Sequence, residues 1–307
     1  MKRLALSFGL LILLLTMSAC GNQPLQNSSQ VQISSGQMQS STAEEPQSSS
    51  ATPSSENIAS NDGTIQSKAP VSSPGSEIAC ETSPQTQQEA LRQVKAALTT
   101  KVPLMLPTGL PIENDHYLTA TTISQAQDYK VNLYEVKQPV AINSKAASEG
   151  ALIATVEGTE YQDASAAKDN MLPYRKVDIS GVPSDYQMNL GHNIKAEENA
   201  GAGHQWLYWN EGRWFLRLDS PTDPAFKNKK YPNRDQLAKD VVAYLDNYML
   251  PVPQQIGVIY IMDWVGNQKQ IDNSSTIQLQ KDQTVYQITC TDPMVALKVA
   301  VAMKSNE

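Results

Sequence analysis

Two stretches of this chain can only fold back on themselves. Residues 205–210 and 213–218 are short runs rich in Trp, Tyr, Phe and Leu, parted by Glu211 and Gly212. Residues 275–280 and 283–288 repeat the arrangement around Lys281 and Asp282. A two-residue link between alternating runs predicts a β-hairpin, and its length sets the register. With these links as turns, Trp209 faces Trp214 and Leu207 faces Leu216; in the second hairpin Leu279 faces Thr284 and Ile277 faces Tyr286. Strand side chains alternate, so these residues, with Leu218 and Ile288, fall on one face. That face needs a covering layer.

The cover is legible downstream of each hairpin. Residues 234–248 carry Leu237, Val241, Tyr244, Leu245 and Tyr248 on one helical stripe, with Asn233 as N-cap. Residues 293–303 predict a second helix, with Asp292 as cap and Pro293 at its first position. Its middle is polar only at Lys298, so it is expected to lie between the sheet and a neighbouring helix, the alternative being a dimer contact. A strand at residues 257–264 precedes the second hairpin. The chain therefore reads as an internal duplication of a strand–hairpin–helix unit, with Pro251-Val252-Pro253 as hinge. A weaker copy is expected earlier: a strand at 129–136, a hairpin over 151–162 turning at Glu157-Gly158, and a helix at 164–171. A helix at 86–98 opens the domain, followed by an extended segment at 102–111 that carries Pro103, Pro107 and Pro111. The fold class expected is α+β, an antiparallel sheet of hairpins with helices on one face. The domain spans 86–307, with subunits at 103–180, 181–250 and 254–307.

Composition changes abruptly before residue 86. Residues 20–85 are dominated by Ser, Gln, Thr, Pro and Asn, with few large apolar side chains. Such a segment buries too little surface to offset its ordering entropy, so it is expected to be a disordered tether. As a flexible coil it spans about 40–45 Å, and pulled straight it reaches on the order of 200 Å.

Residues 1–19 have the layout of a secretory signal. Lys2 and Arg3 lead an apolar run to Leu15, and small residues follow. The run is roughly 12 residues, against about 20 for a spanning helix. Met17-Ser18-Ala19-Cys20 resembles the lipobox of bacterial lipoproteins, departing from it at Met17, where Leu is usual. The resemblance covers only the leader. It implies cleavage before Cys20, lipid (palmitate among its acyl chains) on that thiol, and a place on the extracytoplasmic face of a cell membrane. Two or more chains hold stably, since each buried methylene contributes about 0.8 kcal/mol.

Of the three cysteines, Cys80 and Cys290 remain after Cys20. A Cys80–Cys290 bridge and a buried, inert Cys290 are both open outside the cytoplasm. The formal net charge of −7 argues against nucleic-acid binding and against charge-driven docking on anionic lipid. His116, His192 and His204 are scattered, without the paired spacing a metal site shows, so no metal and no cofactor is expected. Neither a Gly-x-Ser-x-Gly elbow nor a P-loop occurs, and Gly201-Ala202-Gly203 reads as part of a loop at 193–203.

One constellation stands out. Opposite the core face, the first hairpin carries Trp206, Tyr208, Arg213, Phe215 and Arg217. The second carries Thr276, Gln278, Gln283, Val285 and Gln287 there, as a solvated face would. Aromatic rings beside arginines suit stacking on sugars or holding an anionic or peptide ligand. The other reading is that a further layer covers the rings, and burial of Trp206 and Phe215 separates the two. The function expected is a lipid-anchored binding or scaffolding protein of the bacterial envelope, its partner a cell-wall glycan or another envelope protein. The alternative is an envelope enzyme acting on wall polymer through carboxylates.

Overall fold

A computed structural model describes residues 82–265 and 273–305, all within one compact unit. The signal, Cys20, Cys80 and nearly all of the tether lie outside the described residues. Among the described residues no helix is long and apolar enough to cross a membrane.

In chain order the elements are α1 (Gln87–Ala97), β1 (Met105–Pro107), β2 (Tyr117–Ser124), β3 (Asp128–Val136), β4 (Ala151–Glu160) and α2 (Ala164–Asp169). There follow β5 (Gln187–Gly191), β6 (Ile194–Gly201), β7 (His204–Glu211), β8 (Trp214–Pro221) and α3 (Arg234–Asn247). The last are β9 (Gly257–Met262), β10 (Ser275–Lys281), β11 (Thr284–Cys290), α4 (Pro293–Ala302) and β12 (Met303–Ser305). The Asn233 and Asp292 caps form as expected, each side chain accepting two backbone N–H groups; Thr86 and Asp163 cap α1 and α2.

Ten strands form one sheet in the order β2-β3-β4-β11-β10-β9-β8-β7-β6-β5, and β1 pairs with β12 separately. The fold is α+β, with antiparallel pairing throughout the large sheet except between β8 and β9. A parallel pair needs a crossover connection, and α3 with its flanking Pro-rich segments supplies it. The sheet consists of three meanders, β2-β3-β4, β5-β6-β7-β8 and β9-β10-β11, each followed by a helix. Pro251-Val252-Pro253 delivers the chain from α3 to β9 within this one sheet.

Both predicted hairpins exist, with their turns one residue later than expected. Glu211 pairs with Trp214, Trp209 with Leu216 and Leu207 with Leu218. Lys281 pairs with Thr284, Leu279 with Tyr286 and Ile277 with Ile288. Gly212 (φ 59°) and Asp282 (φ 50°) thereby take the first turn position, where a positive φ matches the strand twist. The shift moves each partner by two residues, so the face assignments survive.

Three other expectations change. Residues 151–160 are one unbroken strand, not a hairpin. Gly158, read as a turn glycine, sits in mid-strand opposite Tyr129, and a Cβ there would lie 2.7 Å from Tyr129 Cζ. The glycine makes room for a ring. Residues 194–201 form β6 rather than a loop. Helices also occupy both faces. The larger core joins Ala90 and Val94 of α1, Leu237 and Val241 of α3, and Leu297 and Val299 of α4 to the strands through Leu207, Trp209, Leu216, Ile259, Ile277 and Tyr286. The smaller core, on the opposite face, gathers Ala167 and Met171 around Phe215, Val258 and Val285.

This second layer explains why the outward face of β10 and β11 is not solvated. Gln278, Gln280 and Val285 are buried. Leu172 N donates to Gln278 Oε1 (2.7 Å), and Gln280 Nε2 donates to the Ala164 carbonyl (2.6 Å). Gln278, which looked solvent-facing, anchors the chain after α2, and Gln280 anchors α2 itself. As expected, α4 is buried along most of its length.

Candidate ligand-binding face

Alternation on β7 and β8 places His204, Trp206 and Tyr208 on the second face beside Phe215, Arg217 and Asp219. The parallel neighbour β9 adds Tyr260 next to Arg217 and Met262 next to Asp219. The structure divides the sequence-predicted residues into three environments.

Phe215 is covered. It is 3% exposed and lies among Tyr174, Tyr208 and Tyr260, with ring centroids 6.1–6.2 Å away. Tyr208 is half-buried beneath Arg175, whose guanidinium carbon is 4.3 Å from the ring centroid. Arg175 is held in turn by a two-pronged contact with Glu197 at 3.0 and 3.2 Å. Arg213 leaves the face altogether. It sits exposed in the turn, where Nη1 donates to the Gln254 carbonyl at 2.6 Å. Phe215 and Arg213 therefore drop out of the face expected from sequence.

Trp206 and Arg217 remain as a half-exposed ledge, joined by residues the sequence did not single out. The Arg217 guanidinium lies 5.1 Å from the Tyr260 ring centroid and 5.8 Å from that of Trp206. His204 stacks on Trp206, with centroids 6.0 Å apart and planes 7° from parallel, and meets the edge of Trp264 at 5.7 Å. Asp219, 7% exposed in its side chain, ties the ledge together. One of its oxygens bonds His204 Nδ1 at 2.6 Å and the other accepts from Arg217 Nη2 at 2.8 Å.

A second carboxyl lies beneath. Asp263 is fully buried; its N–H donates to the Asp219 carbonyl (2.8 Å), and its Oδ2 accepts from Ser220 Oγ (3.0 Å). Burial pushes this carboxyl up to about 6. Tyr208 and Tyr260 are also raised, chiefly by desolvation, with the nearby arginines opposing it.

Trp206 Nε1, Trp264 Nε1 and Arg217 Nε are buried and have no hydrogen-bond partner among the described residues. The half-exposed part of the arrangement can offer an oxygen-rich ligand a ring to stack on and the Arg217 guanidinium.

His204 and Asp219 were within reach of the sequence, each one alternation step beyond Trp206 and Arg217. Tyr260 and Trp264 were not, because they arrive through the β8–β9 crossover. Comparison with known proteins finds no matching family model, no matching curated protein and no matching solved structure.

Proposed function

We propose that this chain is a lipid-anchored extracytoplasmic protein of the bacterial envelope that binds an oxygen-rich ligand, most simply a cell-wall glycan, on the Trp206–Arg217 ledge. One observation carries the reading: the half-exposed rings of Trp206 and Tyr260 flank the Arg217 guanidinium, which Asp219 already orients. Sugars present apolar ring faces and many acceptor oxygens, which such a ledge matches. The leader, with Cys20 as lipidation site, and the polar tether supply the location and the reach. Nucleic acid is not a partner on this reading, given the charge of −7.

The internal duplication belongs to the same proposal. The units β6–β7–β8–α3 and β9–β10–β11–α4 share their order, a two-residue turn whose first residue has a positive φ, and an Asx-capped helix. On this reading one copy kept its second face partly open for ligand while the other was sealed by α2.

The test is co-sedimentation with purified peptidoglycan. Wild type and Arg213→Ala should pellet alike, and Trp206→Ala and Arg217→Ala should stay in solution. Equal pelleting of all four would end the glycan reading. A second, enzymatic reading starts not from paired carboxylates but from the His204–Asp219 pair, an imidazole oriented by a carboxylate as in a general base. It predicts release of soluble fragments by wild type and none by His204→Ala. Palmitate-analogue labelling lost in Cys20→Ala tests the anchor independently.

A further inference from the structure

Towards the other end of the sheet, three side chains of types able to ligate a metal converge, although their spacing along the chain shows no pairing. Glu113 and His116 lie three residues apart on the turn entering β2, and Glu135 comes from β3. Their ligand atoms, one from each residue, all lie within 4.8 Å of one another. His116 Nδ1 is 2.7 Å from Glu135 Oε1 and 3.7 Å from Glu113 Oε2. Glu135 Oε1 also accepts the Glu113 N–H at 2.7 Å, which fixes the loop against the strand. His116 and Glu135 are about one-fifth exposed, whereas Glu113 is 79% exposed.

We propose that Glu113, His116 and Glu135 bind a first-row divalent transition ion, with Zn²⁺ the best match. Around a tetrahedral ion with bonds of about 2.0–2.1 Å, ligand atoms stand roughly 3.3 Å apart. The His116 contacts of 2.7 and 3.7 Å bracket that spacing. The ion would take the place of the 2.7 Å hydrogen bond between His116 Nδ1 and Glu135 Oε1. An imidazole in the donor set selects against Ca²⁺ and Mg²⁺, which favour oxygen alone. The three residues also line a cavity of about 540 Å³ whose wall includes Glu149 and Lys137. Three carboxylates against one ammonium attract a cation, and the cavity leaves room for water or an exogenous ligand at the fourth position.

The test uses the full chain in detergent, in a Cys20→Ser, Cys80→Ser background so that free thiols do not compete. Calorimetric titration of metal-free protein with Zn²⁺ should show one equivalent bound, and Co²⁺ should give the visible absorption of a tetrahedral site. Glu113→Gln, His116→Ala and Glu135→Gln should each weaken Zn²⁺ binding by about tenfold or more, which corresponds to about 1.4 kcal/mol. Glu113 is exposed, so its variant reports on binding even if the other two fail to fold. Binding that persists unchanged in Glu113→Gln and His116→Ala, or no Zn²⁺ bound by folded wild type, overturns the proposal.

Discussion

His204 Nδ1 lies 2.6 Å from Asp219 Oδ1, and the other oxygen of that carboxylate holds Arg217. Removing the charge while keeping the shape strips Arg217 of its counter-ion. Breaking a fully buried pair costs about 3–5 kcal/mol; with Arg217 and His204 each 30% exposed in their side chains, Asp219→Asn should cost roughly 2 kcal/mol. His204→Gln should cost less than about 1 kcal/mol, since it forfeits one partly exposed hydrogen bond. Urea unfolding of both variants measures the difference, and equal costs would mean that Asp219 does not organise Arg217.

Two tryptophans three residues apart on β7 should behave oppositely. Trp209 is fully buried in the larger core, so Trp209→Ala should destabilise by about 3–5 kcal/mol. Trp206 is half-buried on the ledge, so Trp206→Ala should cost only about 1 kcal/mol while abolishing glycan retention. Unfolding and pelleting assays on the same two preparations separate a packing role from a binding one.

Gly158 should resist even one extra methyl. The ring of Tyr129 lies over it, and the Tyr129 hydroxyl bonds the backbone N and O of Met105 at 3.0 Å each. Gly158→Ala must shift that ring and should cost about 1–3 kcal/mol. In a Tyr129→Ala background the penalty should vanish, and a double-mutant cycle on denaturation midpoints reads the coupling.

Asp263 gives stability an unusual pH dependence. Its carboxyl is raised from 3.8 to about 6 in the folded protein, so between those values the folded state holds a proton that the unfolded state has lost. Its contribution to stability therefore falls as pH rises through that window, then levels off above about 6. Two pH units correspond to about 3 kcal/mol at most. Asp263→Asn should match wild type near pH 4 and exceed it near pH 7.5. A variant less stable than wild type at pH 7.5 would show that the carboxylate is satisfied there.

What the sequence made legible was local. Alternation on β7, β8, β10 and β11 identified both hairpins and their buried faces, and Asn233 and Asp292 marked two helix starts. The errors came from residues whose role depends on distant partners. Gly158 resembles a turn glycine until Tyr129 is laid over it. Gln278 resembles a solvated residue until the chain after α2 arrives with Leu172 N. Phe215 could be assigned to a ligand only while residues 171–177 were unplaced. Glu135 is separated from Glu113 and His116 by a whole hairpin, which hid their convergence.

The pairing of β4 with β11 carries a consequence for how the molecule is made. Thr155 and Thr289 are neighbours across that seam, yet most of the domain lies between them in sequence. A chain emerging N-terminus first has an open strand edge along β4 until β11 has been made. Such an edge is a template for pairing with other chains. Synthesis and assembly thus overlap, and shielding of that strand edge matters most while residues 161–283 are still being made.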